Sequence, residues 1–524
     1  MSASEPPSEV QEASRTPAQP ASMRPRAPSP APVASGVWTL LSLGLVTAAV
    51  YLLRLAAPMS LRNLINRPLI DLPLVLGENA VGAWYYLDTV LLLFGLYYWG
   101  YRVVGRETPL AFWRTRSDGG ALDYGPVIAL LPVVFAVALL LMFPVTAGDL
   151  FVYIFFGRIW AFQGLNPYIT SPDMVPTDIT YNYTVFREAA TVYGALFTHL
   201  SALLARLAGD SLLLNVLLFK GAMILFYALT ALFVYLILKR TRPELAWVGV
   251  YLVWWNPLVQ FNTAGDGHND ITMLAVVMLA LLLAQRGQWS LACAALVLSM
   301  SMKWVSLILV PVFVVAALRA WGWRRWPEIV GGLAVGFGLA ALLHAPFYAG
   351  LGTVLGSVPY IGTAFTTSIA TVLRDVLLRV TDQSSAELWA RLTVYAVFGL
   401  LYLRELTRIR DSFESLVYAC FQAFFLYLLV GTLWFQPWYV IWLVGIGALL
   451  VGTPVAERTI LLTFTAMLIH LVTGFGWRLG WFGNLSLLHL TAVALVFAAP
   501  LILWLSERWP EEERRVDAAA ESLP

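Results

Sequence analysis

The chain has 524 residues, of which 59% are hydrophobic and only 12% charged, whereas a soluble protein carries roughly a quarter charged residues, so the composition excludes an ordinary soluble domain. A formal net charge of +2 gives no basic surface for nucleic acid, and the two cysteines, Cys293 and Cys420, lie inside apolar runs and exclude a disulfide framework.

Residues 1–36 are rich in Pro, Ala and Ser and lack the apolar surface needed to fold, which predicts a disordered tail. The apolar run that follows, 37–57, has no small-residue cleavage site after it and reads as a membrane anchor, not a removed signal. Runs able to cross ~30 Å of hydrocarbon then recur along the chain. They are 81–104, 124–146, 211–238, 245–263, 268–285, 288–302, 304–320, 328–348, 389–408, 415–433, 436–452, 457–475 and 487–506. The shortness of runs such as 288–302 predicts broken or tilted helices. Stretches 191–208 and 363–380 combine helical periodicity with charges and are expected to be interfacial or re-entrant helices. The predicted fold is therefore an all-α polytopic membrane protein with about fourteen transmembrane helices over 37–508, a large outer loop at 144–210 and a charged tail at 509–524.

Basic residues in short loops orient such a bundle. Arg15, Arg24 and Arg26, then Arg106, Arg114 and Arg116, Lys239 to Arg242, Arg319 to Arg325, Arg404 to Arg410 and Arg508 to Arg515 all fall on one side when both termini are cytoplasmic. Arg62 and Arg67 fall on the other.

Ionisable groups at membrane depth are costly and mark candidate sites. They collect on the predicted outer side. Asp149 opens a helical run after an apolar span, where it can cap the helix or act as a surface carboxylate base. Tyr153 lies one turn on, and Arg158 on the opposite face, where it binds a phosphate from another direction or snorkels. Asn166 and Tyr168 follow in Gly164-Leu165-Asn166-Pro167-Tyr168. Asp266, His268, Asn269 and Asp270 crowd a glycine-bounded turn between two spans, more ionisable chemistry than a helix cap requires. Their spacing matches no strong metal signature, so no metal is expected. Lys303, between two short runs, either snorkels or offers its charge to an anion. Lys220, deeper in 211–238, needs a carboxylate, a water-filled cavity or a ligand phosphate. Gln436, Trp438 and Tyr439, with Trp434 and Trp442, form an aromatic belt or a sugar-stacking wall.

Taken together, the Gly148–Tyr168 stretch, Tyr193-Gly194-Ala195-Leu196, Gly267-His268-Asn269-Asp270, Lys303 and Gln436-Pro437-Trp438-Tyr439 resemble, in order, the GT-C polyprenol-phosphate-mannose-dependent mannosyltransferases over about residues 125–450. The chain departs from that pattern in having Gly148 before Asp149 where many relatives carry a second acid, Ala195 where they often have Pro, and its catalytic loop after the third span. The resemblance implies an active site facing outside and an inverting transfer from polyprenyl phosphate to a glycolipid or glycan hydroxyl, without a cofactor. It implies Asp149 as general base, Lys303, Arg158, His268 and Lys220 on the donor phosphate, and the remaining polar and aromatic residues on sugar or acceptor. It also implies residence in the cell membrane. A transporter or lipid-linked sugar flippase is the second reading, because broken helices with buried charge mark those too; internal repeats, their usual companion, are not visible in the sequence. A purely structural membrane protein leaves the one-sided gathering of ionisable residues unexplained.

Overall fold

A computed structural model describes residues 32–114, 124–355 and 364–506; of the expected tails at 1–36 and 509–524 only 32–36 are described, and they belong to the helix Pro32–Val50. Among the described residues the regular structure is helical, and β pairing is limited to the isolated bridges Ser60 to Met142 and Thr366 to Trp434. Helices are what apolar runs must form in lipid, since each backbone N–H and C=O then finds its partner within the segment.

Nine described helices are long and apolar enough to cross a membrane, or ten if one bent pair counts as a span, so the expectation of about fourteen crossings is not met by length. The remaining runs are shorter or broken. The 124–146 run yields a helix only over Tyr124–Leu140, and 288–302 and 436–452 yield Trp289–Met300 and Pro437–Leu449. The 245–263 run breaks at Trp255 and Asn256, whose side-chain oxygen caps the next helix by accepting from Leu258 and Val259 N–H. That helix, Pro257–Gly265, meets Asp270–Gln285 at 119°, which places the turn 266–269 at a sharp break. Apolarity records what the chain can bury; it does not record where the chain turns.

The break is shaped by its glycine. Gly267 has φ +78°, and a Cβ there would come within 2.9 Å of Leu150 Cδ1, in the first turn of the Asp149–Gln163 helix. Widened π-type turns at Phe261–Gly265 and Tyr427–Gly431 end two helices just before they reach the turn and the 432–436 segment.

The 144–210 segment carries two helices. Its first helix, Asp149–Gln163, is buried through Leu150 to Ile159 and packs on Ala195–Ala208, where a Cβ on Gly157 would lie 2.4 Å from the Ser201 carbonyl oxygen. The expected helix within 191–208 is present as Ala195–Ala208, which buries Phe197, Ser201 and Ala205 and exposes Leu203 and Leu207. The expected helix within 363–380 is present as Ile369–Leu377, capped by Ser368. Gly332 and Gly336, one turn apart, let the Trp326–His344 helix approach the backbone of Ser290 and Ala294 on Trp289–Met300, small-residue packing suited to a medium that gives helices no hydrophobic drive to associate.

Candidate active site

The segment leading to Asp149 is pinned from both sides. Phe143 N–H donates to the Met59 carbonyl at 2.6 Å, and the Val145 carbonyl accepts from Leu72 N–H at 2.9 Å. Asp266 accepts from Val145 N–H at 3.0 Å and from the Thr146 hydroxyl. The helix then starts with Gly148 as cap, and no side chain caps it, so the Asp149 carboxylate is not spent on its own backbone. Asp149 is 19% exposed at its side chain, and Oδ2 lies 3.7 Å from His268 Nδ1. Burial pushes its pKa up to about 6; the Lys303 charge pulls the other way, Asp270 raises it further, and the Tyr153 and Tyr193 hydroxyls favour the ionised form.

Lys303 follows the end of the Trp289–Met300 helix. Its ammonium bonds Asp270 Oδ1 at 2.7 Å and sits 4.9 Å from the Tyr439 ring centre. The same Asp270 oxygen accepts from the Trp442 indole at 2.5 Å, while Oδ2 is buried without a hydrogen-bond partner. An ammonium has three donors; Asp270 takes one, and the side chain remains 17% exposed. Tyr193 is placed beside Lys303 by backbone contact. Gly194 N–H meets the Met302 carbonyl, Phe197 N–H donates to Ser301, and a Cβ on Gly194 would lie 2.3 Å from Ser301 C and O. Only glycine allows that approach.

These elements enclose a cavity of ≈ 470 Å³, within the range of small-molecule sites. Asp149 and Lys303 line it, with Gln436, Trp438 and Tyr439. Trp434 and Trp442 line it too, so polar and aromatic residues singled out in four separate stretches of the sequence meet at one site. Trp438 stacks on His268 (ring centres 3.9 Å apart, 14° between planes), and Tyr439 on Trp442 (4.6 Å, 20°), so the aromatic belt is a wall backed by a second layer.

Other candidates stand elsewhere. Arg158 is buried away from the cavity, held by Asp178 at 2.8 Å, Asp210 at 2.9 Å and the Gly209 carbonyl at 2.7 Å, so it ties the Asp149–Gln163 helix to the middle and the end of the 149–210 segment. Lys220 donates to the carbonyls of Leu139, Leu140 and Met142, satisfying the otherwise orphaned end of the Tyr124–Leu140 helix. Neither lines the cavity, nor do Asp266, Asn269 and Asp270, which act behind its wall. Tyr153 meets Asn269 at 3.3 Å and packs edge-on against Tyr193. Asn166 bonds the Phe347 carbonyl and the Tyr168 amide, and the Tyr168 hydroxyl donates to the Tyr193 carbonyl, so both brace Tyr193 from behind. His268, 1% exposed, lies beneath Trp438.

Sequence reasoning missed the facing wall, formed by Val185, Phe186, Ala189 and Val192, which carries no polar signal. Phe186, in the left-handed region at φ 56°, brings its ring 5.7 Å from Trp434. Trp442 as partner of Asp270 was open to discovery, since it lies three and four residues after Tyr439 and Trp438 on one helical face. A second cavity of ≈ 680 Å³, mostly apolar and lined by Met300, Phe337, Ala341 and Tyr348, adjoins the first through Trp304, which lines both.

Residues 87–319 match the family profile described as alpha-(1->6)-mannopyranosyltransferase, N-terminal domain. A relative, alpha-(1->6)-mannopyranosyltransferase A of Corynebacterium glutamicum, is 26% identical over 202 residues, 37% of this chain and 38% of the relative. The chain therefore matches less than two-fifths of that protein's length. Both matches bear out the resemblance to the GT-C mannosyltransferases.

Proposed function

We propose that the chain is an inverting membrane glycosyltransferase that moves a hexose, mannose first among them, from polyprenyl phosphate to a hydroxyl of a glycolipid or polysaccharide at the outer face of the membrane. The observation that carries this reading is the pairing, in one aromatic-walled cavity, of a partly exposed carboxylate, Asp149, with a partly exposed ammonium, Lys303. An inverting displacement needs both. The acceptor hydroxyl gives its proton to Asp149 as its oxygen attacks the anomeric carbon; the bond from that carbon to the phosphate oxygen breaks, and polyprenyl phosphate leaves with the electron pair. Lys303 faces the charge that grows on the phosphate. Trp438 and Tyr439 offer flat faces to the sugar, and the apolar chamber beyond Trp304 suits the first isoprenoid units of the donor.

The outward orientation is supported by where the basic residues lie. The helices Trp304–Trp321, Phe413–Gly431 and Pro437–Leu449 each have one end at the cavity. Their other ends lie near Arg319 to Arg325, near Arg410, and at Leu449, whose carbonyl accepts from Arg242. The clusters that favour the cytoplasm thus stand opposite the site. On this reading both termini are cytoplasmic and the membrane is the cell membrane.

The test is Asp149→Asn assayed with labelled polyprenyl-phosphate mannose, using membranes from cells lacking the gene as the source of acceptor. Loss of the base should lower the rate by about 10² to 10⁴. Transfer at near-normal rate would remove Asp149 from that role.

A further inference from the structure

His268, expected on the donor phosphate, does not line the cavity, and its surroundings are unusual. It is buried, and neither ring nitrogen has a hydrogen-bond partner. Buried polar atoms are paired in the great majority of cases, so two orphans on one ring call for a reason. The ring is not free to find another partner. Its backbone N–H donates to the Asn262 carbonyl at 2.9 Å, Gly267 before it is locked against Leu150, and its face is stacked on Trp438. What remains is the ring edge, and Nδ1 on that edge is 3.7 Å from Asp149 Oδ2, a gap that a small side-chain rotation of Asp149 closes.

We propose that His268 is a positioning residue for Asp149, donating its Nδ1–H to the carboxylate and turning the other oxygen toward the acceptor hydroxyl. The role rests on the reading of Asp149 as base. It assigns the tautomer: the proton sits on Nδ1, and Nε2 faces the protein interior. It also assigns the stacking, because Trp438 holds the imidazole plane in the orientation from which its edge reaches the carboxylate. The other groups acting on Asp149 are Lys303, Asp270, Tyr153 and Tyr193; those acting on His268 are Lys303 and His470. None of these replaces a donor at the Nδ1 position.

A donor to the ionised carboxylate favours ionisation, so its removal moves the Asp149 titration to higher pH. A carbodiimide, which modifies protonated carboxyl groups, reads this directly. The midpoint pH of Asp149 modification, followed by mass spectrometry on the purified full chain, is compared for wild type, His268→Asn, His268→Gln and His268→Leu. The Asn amide lies near the place of Nδ1, and the Gln amide near that of Nε2. The expected result is an upward shift of about one unit in the Gln and Leu variants, with Asn close to wild type. An unmoved midpoint in the Leu variant, or Asn shifted as far as Gln, overturns the proposal. If the Leu variant does not fold, the Asn and Gln comparison decides. This readout is independent of the donor's identity. Normal sugar transfer by Asp149→Asn would sink the base reading while leaving the His268 result to stand or fall by itself.

Discussion

At the scale of single residues, the proposed role of Asp149 as base makes its pKa the limit on the pH range in which the site works. A carboxyl lifted to about 6 by burial is ionised above that value and protonated below it. Only the ionised form accepts a proton from the acceptor. The rate of transfer should therefore be near its plateau at pH 7.5 and fall about tenfold for each unit below pH 6. Initial rates from pH 4.5 to 8 check this; a flat acid limb down to pH 4.5 would mean that burial does not raise this carboxyl or that another group is the base. The same scale shows what the sequence could and could not carry. Asp149, Lys303 and the Gln436 to Tyr439 stretch were readable because polar groups between apolar runs need a purpose. Arg158 and Lys220 met the same criterion but stand away from the cavity, where Asp178, Asp210 and three carbonyls at a helix end satisfy the buried cations. Those partners come from 20 or more residues away in sequence, and no local spacing announces them.

At the scale of elements, the site depends on how closely two backbones approach. Tyr193 and Lys303 are neighbours because Gly194 lies against Ser301 without a side chain between them. Gly194→Ala places a methyl 2.3 Å from Ser301 C and O, so either the start of the Ala195–Ala208 helix or the Ser301–Lys303 turn must move. We expect a loss of about 1–3 kcal/mol in stability, the usual cost of overpacking, together with a transfer rate that falls further than stability alone explains. Gly221→Ala is the matched control: its Cβ meets nothing within 4 Å, and it lies inside the Leu212–Thr241 helix, where alanine is favoured. Thermal melting of both variants in detergent, with the transfer assay, separates the cases; a Gly194→Ala protein as stable and active as the control would show that the contact is slack. The elements themselves were largely readable as apolar runs, including the two expected short helices at 195–208 and 369–377. What was not readable is which runs stop short. The carbonyls left open where Tyr124–Leu140 ends are closed by Lys220, and the 119° break at 266–269 contains a positive-φ glycine and the Asn262 to His268 bond.

At the scale of the whole molecule, the reading requires the cavity to open outward, and the chain is well suited to a direct test of that. Its only cysteines, Cys293 and Cys420, are buried, so a thiol reagent that cannot cross membranes finds little background. Glu188 is exposed in the segment whose neighbours Val185, Phe186 and Ala189 line the cavity. Arg240 is exposed at the far end of the Leu212–Thr241 helix, beside the basic clusters. Glu188→Cys should be labelled on intact cells, and Arg240→Cys only after the membrane is opened. The two positions bracket the bundle, so the outcome does not depend on how many of the shorter helices cross completely. Labelling in the reverse pattern would put Asp149 on the cytoplasmic side. A donor whose sugar is presented outside would then be unreachable, and the geometry of the cavity would have to be explained by a reaction fed from the cytoplasm.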